Sequence, residues 1–135
     1  MASTFNVRVE QAGASASRGT VRDHVALVDR PAAKEGTDQG PMGGEYLLLA
    51  LGGCFMSNLL AAIKARAAAI GNVRVDVEGT IDGSPPAFRA IVLRVSADHG
   101  DRAEMEKLIT ISERACIVAN TLRHAVALSV VLESP

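Results

Sequence analysis

The sequence predicts an α+β domain, and three observations carry that prediction. Short stretches of alternating apolar and polar residues come in pairs, as hairpins do, on both sides of one long apolar stretch. The pairs do not alternate singly with helices, so β-α-β repeats and a parallel sheet are not expected. Gly and Pro cluster between the segments rather than within the alternating ones. The expected order is β-β-α-β-β-α-(α)-β, within a single domain over residues 1–135.

Phe5, Val7 and Val9 alternate with Asn6, Arg8 and Glu10, which reads as a half-buried strand. The Ser, Ala and Gly residues from Gly13 to Gly19 form a turn, and Thr20 to Val28 returns as a second strand. Arg30-Pro31 ends it, because proline cannot continue a ladder. Ala32 to Gly44 holds four Gly and one Pro and is a loop. Glu45 to Ile70 is helical by composition, with Gly71-Asn72 as its stop. Val73, Val75 and Val77 alternate with Arg74, Asp76 and Glu78. After the turn Asp82-Gly83-Ser84-Pro85-Pro86 the second arm follows, with Ile91, Leu93 and Val95 on one face. Asp101 to Ala115 is a helix with Met105, Leu108, Ile109 and Ser112 on one side. Asn120 caps a short helix to Ala125, and Leu128 to Leu132 closes the chain as a strand.

The chain is 48% hydrophobic and 3% aromatic, with no Trp and one Tyr, so its core is aliphatic. A formal net charge of −1, and the lack of aromatics interleaved with basic residues, argue against nucleic-acid binding. The N-terminus has no apolar signal segment, so the expected compartment is the cytoplasm, where thiols are normally reduced. Tyr46 to Ile63 is 18 residues with only Ser57 and Asn58 polar, near the lower length limit for a membrane span. Gly52-Gly53 in its middle, Lys64 and Arg66 directly after it, and amphipathic strands around it favour a buried helix instead. One sheet covers one side of such a helix only. A second copy of the chain is therefore expected over the other, as a homodimer.

Two cysteines are the chemistry-bearing residues. Sixty-one residues separate Cys54 from Cys116, which excludes a CxxC pair or a local metal site. Two cysteines that meet only on folding suggest dithiol–disulfide chemistry. Read alone, each is equally a small core residue. To react, Cys54 needs a positive influence. A helix break at Gly52-Gly53 would supply one, by starting a fresh helix at Cys54. An arginine from Arg8, Arg18, Arg22 or Arg30 would supply another, and Arg30, at the junction of strand and loop, is the most suggestive. Glu45 stands nine residues before Cys54. On a straight helix, nine steps of roughly 100° put the two on opposite faces. Without a partner it is simply an acid favoured in a first helical turn. His24, His99 and His124 show no metal-ligand spacing, and no P-loop, GxGxxG or GxSxG is present. No metal or organic cofactor is expected.

The segment Glu45-Tyr46-Leu47-Leu48-Leu49-Ala50-Leu51-Gly52-Gly53-Cys54-Phe55 resembles the P-x-E-L-L-x-A-A-L-x-x-C helix motif of the OsmC/Ohr family. Cys116-Ile117-Val118-Ala119-Asn120-Thr121-Leu122 resembles that family's second motif, C-P-V-S-N-T-L. The likeness extends from about Arg22 to the end of the chain. It implies an OsmC-like fold, with antiparallel sheets around two long central helices in an intertwined homodimer. It also implies thiol-dependent reduction of organic hydroperoxides. Residue by residue, Cys54 matches the peroxidatic cysteine and Cys116 the resolving cysteine. Glu45 matches the acid that orients an arginine against the thiolate. Arg30 precedes Gly36-Thr37 by six residues, as that arginine does in OsmC-type members. Arg18, before Gly19, is the Ohr-type alternative, and Arg22 is a third choice. The implied partners are a second copy of the chain, a hydroperoxide, and an external dithiol reductant such as a lipoyl protein, with neither nucleic acid nor membrane. Ile117, Ala119 and Gly43 replace the family's usual Pro, Ser and Pro. Two other readings stay open: a small-ligand-binding protein of the same fold, and a redox-sensing dithiol that answers to a protein partner.

Overall fold

The computed structural model describes residues 2–133. The chain forms two compact units, one ending at Leu47 and one beginning at Leu48. The first holds strands β1 (Arg8–Gln11), β2 (Ser17–Val21) and β3 (His24–Val28), antiparallel in that order. A 3-10 turn at Ala32–Lys34 follows within a long loop.

Three expectations for this unit need correction. Ser17 to Gly19 belong to β2 and not to the turn that begins at Gly13. The stretch from Thr20 to Val28 is a hairpin, not one strand: Val21 faces His24 and Thr20 faces Val25 across a turn at Arg22-Asp23. Arg22 adopts a left-handed φ of 54° there. Such turns favour Gly or Asn at that position, so an arginine there, with only Asp23 as a turn residue, gave a weak signal. The first strand lies later than its apolar alternation suggests, at Arg8–Gln11, and Phe5 stays outside it and exposed.

Helix α1 (Gly43–Ala65) starts in the first unit and runs into the second. The second unit continues with β4 (Ile70–Asp82), β5 (Ala87–His99), α2 (Arg102–Ala115) and α3 (Ile117–Arg123). β4 and β5 form the expected hairpin, with Val75 opposite Val95 and Val77 opposite Leu93. Val73, Val75 and Val77 face inward while Arg74, Asp76 and Glu78 face solvent. The helix ends at Ala65 rather than Ile70, and Ala67, with a left-handed φ of 47°, turns the chain. Gly71-Asn72 therefore lies inside β4 at a register shift, not at a helix stop. Asp101 caps α2 by accepting from the Glu104 amide at 3.1 Å.

The core of this unit is a stripe of α1 laid on the hairpin and α2. Leu51, Phe55, Leu59 and Ala62 recur at helical spacing and are buried together with Met105, Leu108 and Cys116. Gly52-Gly53 does not break the helix. Gly52 is buried, and a Cβ there would come within 2.9 Å of Val77 Cγ2. The glycine lets helix and sheet approach, and the surrounding Leu and Ala residues hold the helix through it.

α1 is long and apolar enough to cross a membrane by length and composition, but its buried stripe makes it a core helix. Its other face is uncovered: Leu49 is 63% and Leu60 50% exposed. The closing strand expected at Leu128–Leu132 is not formed. These residues join no ladder among those described, and Val130 is 95% and Leu132 96% exposed. A β-branched run has strand propensity, but a strand exists only where it finds a partner.

Leu59 and Leu108 are both completely buried. Leu59→Ala or Leu108→Ala should lower unfolding free energy by about 2–5 kcal/mol, read from urea denaturation. Lys107→Ala, on the exposed side of α2, should change it by less than about 0.5 kcal/mol.

Candidate thiol site

Cys54 and Cys116 come together in the second unit, both as free thiols. Cys54 immediately precedes Phe55 of the buried stripe, so it lies at the edge of the core and is half-buried. Cys116 is wholly buried at the corner between α2 and α3. Its extended backbone (φ −74°, ψ 110°) ends one helix and begins the next. Its amide donates to Glu113 O at 3.3 Å. Its sulfur is the N-cap of α3, accepting from the Ala119 amide at 3.5 Å. The corner is braced by Asn120 Nδ2 donating to Arg114 O at 3.1 Å and by an Arg123–Glu113 ion pair. Asn120 thus sits inside α3 and ties it back to α2, rather than capping a helix that begins there.

This corner supplies what Cys54 needs. Burial pushes the Cys54 thiol up. The nearby Val118 amide, Cys116 thiol and Ile117 amide favour its charged form, outweigh burial and bring its pKa below that of an ordinary cysteine. Cys116 moves the other way. Burial raises it, and the hydrogen bond and charge of Cys54 raise it further against the pull of the Ala119 and Val118 amides. The two thiols are thus shifted in opposite directions, Cys54 down and Cys116 up. Helix-terminal amides do influence Cys54, as the sequence suggested, but they belong to α3 and not to a break in α1. Asn58, one turn beyond Cys54, donates to Cys54 O at 3.0 Å and lies 4.0 Å from its sulfur. Sequence reasoning passed it over, although a lone amide four residues from a cysteine on an apolar helix was a usable signal.

The other predicted residues belong to the first unit. Glu45 is exposed, and its Oε1 accepts from the Met42 amide at 2.9 Å. This is the returning half of a capping box at the start of α1. Arg30, Arg18 and Arg22 are exposed, and among the described residues none of them is ion-paired with Glu45. Arg30 lines an open cavity of about 400 Å3 with Asp29, Lys34 and Met42. Asp29, which sequence reasoning did not single out, is buried. The Thr37 hydroxyl, helped by Ser15 and the Gln39 and Arg30 amides and opposed by burial, holds its carboxyl well below the usual carboxylate range. Among the described residues no group of three or more His, Cys, Asp or Glu is placed to hold a metal ion.

The two thiols should be separable by pH. Alkylation by iodoacetamide should begin at Cys54 below the ordinary thiol range and reach Cys116 only above it, followed by peptide mass spectrometry across a pH series. Equal labelling, or Cys116 first, would contradict the assigned order.

A family model described as OsmC-like protein matches residues 36–131. Among solved structures the chain is similar to an OsmC-like protein from Mycoplasma pneumoniae, at 19% identity and a TM-score of 0.80, with 91% of this chain and 89% of that one covered. It is similar to an organic hydroperoxide resistance protein from Elizabethkingia anophelis, at 17% identity and a TM-score of 0.71, covering 91% and 90%. It is also similar to the organic hydroperoxide resistance protein OhrB of Bacillus subtilis, at 21% identity and a TM-score of 0.63, covering 89% and 90%. No curated protein sequence matches it. At these identities the structural likenesses speak for the fold. With the family model covering most of its length, the chain belongs to the OsmC-like protein family.

Proposed function

We propose that this chain is a cysteine peroxidase that reduces organic hydroperoxides in oxidative-stress defence. The observation that supports this best is the contact between two free thiols whose protonation is split by the amides around them. Cys54 thiolate attacks the distal oxygen of ROOH. The O–O bond breaks, Cys54 takes the distal OH and becomes the sulfenic acid, and the alkoxide leaves as ROH after taking a proton from solvent. The Cys116 sulfur then attacks the sulfenic sulfur, a disulfide forms and water is released. An external dithiol, with a lipoyl protein as a candidate, returns both thiols. Two electrons pass from the dithiol to the peroxide in each cycle. The Leu, Phe and Ala residues around Cys54 favour alkyl or lipid hydroperoxides over hydrogen peroxide.

Arg30, or else Arg18 or Arg22, would lower the thiol pKa further and stabilise the negative charge that develops on oxygen. Glu45 would hold that arginine. These two roles rest on the motif match. Glu45 and Cys54 stand nine residues apart on one unbroken helix, hence on opposite faces. A site that uses both therefore draws them from two copies of the chain. The bare face of α1 and the unpaired apolar run from Leu128 to Leu132 support the same homodimer. The compartment that suits reduced thiols is the cytoplasm.

Reduced protein with a recycling dithiol should consume cumene hydroperoxide faster than hydrogen peroxide. Cys54→Ser should abolish turnover, and Cys116→Ser should leave a single oxidation and stall recycling. Undiminished turnover in Cys54→Ser would sink the mechanism.

A further inference from the structure

The loop after β3 is held by one buried side chain. Asp29 is 2% exposed, and its carboxylate accepts five hydrogen bonds. Oδ1 takes the Ser15 hydroxyl at 2.8 Å and the Arg30 amide at 2.7 Å. Oδ2 takes the Thr37 hydroxyl at 2.5 Å, the Thr37 amide at 3.3 Å and the Gln39 amide at 3.2 Å. The donors come from β3's end, from the loop's far side and from the segment before β2. The backbone is drawn tight around them. The Asp38 amide donates to Arg30 O at 3.0 Å and the Asp29 amide to Pro41 O at 3.1 Å. A Cβ on Gly36 would lie 1.9 Å from Arg30 O, so only glycine allows that crossing.

We propose that Asp29 is a positioning residue, whose buried carboxylate ties the start of the 30–39 loop to its end and so fixes the backbone that carries Arg30. A loop of this length would otherwise sample many conformations, and an arginine on it would spend little time in any one. The chemistry requires a carboxylate. Three of the five donors are backbone amides, which cannot reverse. An Asn in the same place would turn an NH2 group against the Arg30 amide or against those of Thr37 and Gln39. This inference rests on the reading that Arg30 assists Cys54.

The test is a double-mutant cycle on the rate at which hydroperoxide oxidises the reduced protein, with wild type, Asp29→Asn, Arg30→Ala and the double variant. Each single change should slow oxidation by about tenfold or more, and the double variant should be no slower than Arg30→Ala. Thr37→Val, which removes one donor and spares the carboxylate, should give a smaller loss in the same direction and guards against a fold defect. If Asp29→Asn slows the Arg30→Ala protein by the same factor as the wild type, Asp29 is general scaffolding and the proposal is overturned. If Arg30→Ala reacts as fast as wild type while Cys54→Ser is inactive, the positioning role is overturned and the peroxidase reading stands. If the wild type itself consumes no peroxide, that reading fails, and hydrogen exchange decides the loop. Protected Thr37 and Gln39 amides that open in Asp29→Asn would support the tie, and unprotected ones would overturn it.

Discussion

Burial of one stripe of α1 against the β4–β5 hairpin and α2 is the constraint on which the thiol site depends. Leu51, Phe55 and Leu59 are nearly or wholly out of solvent, each contributing about 1.5–3 kcal/mol by its transfer from water. That gain sets the rotation of α1 about its axis, and the rotation sets where Cys54 points. As the residue before Phe55, it falls on the flank of the stripe, packed on one side and open on the other. α2 presses Met105 and Leu108 into the same cluster, and its end delivers Cys116. The sulfurs meet because two helices share a core. Gly52 sets how near α1 lies to Val77, so it contributes to the site without touching either sulfur.

Packing alone would make both thiols inert, because burial raises a thiol's pKa. The difference comes from the corner after α2. A helix start leaves its first amides without intrahelical partners, and at α3 these are divided between two sulfurs. Ala119 serves Cys116, Ile117 serves Cys54, and Val118 acts on both. Ile117 stands where the family motif usually has Pro, which has no amide hydrogen to give. The substitution thus adds a donor at the sulfur that benefits. Once Cys54 is the anion, its charge keeps the Cys116 proton in place. The asymmetry that the proposed attack by one sulfur and resolution by the other would use reinforces itself.

Much of this was legible in the sequence because it rests on local rules. The alternation of Val73, Val75 and Val77 marks a half-buried strand, Met105, Leu108 and Ile109 mark one face of a helix, and a cysteine at a helix end has room to bend. What was not legible rests on contacts between distant residues or on the absence of them. The turn at Arg22-Asp23 has an arginine, not Gly or Asn, at its left-handed position. Gly52-Gly53 reads as a breaker until Val77 is known to lie against it. Leu128 to Leu132 has the composition of a strand but no edge to pair with among the described residues. Asp29 is one acid among fifteen in the sequence. Its importance appears only when Ser15, Thr37 and Gln39 are seen to converge on it.

Asp29 and Cys116 also show how the same physical resource serves two ends. Both sit where regular structure stops and backbone amides are left without carbonyl partners. A carboxylate is a strong acceptor, so the amides on Asp29 are fully satisfied and the result is rigidity. A thiol sulfur is a weak acceptor, so the amides over Cys54 are poorly satisfied by the protonated form and better satisfied by the thiolate. Their unmet demand becomes a lowered pKa. The loop after β3 therefore uses its free donors to hold a shape, and the corner after α2 uses them to hold a charge. A carboxylate in place of Cys54 would satisfy those amides fully and leave nothing to react, whereas a thiol in place of Asp29 would leave the loop untied. The choice of acceptor at each free cluster of amides decides whether that cluster stabilises the fold or activates a nucleophile.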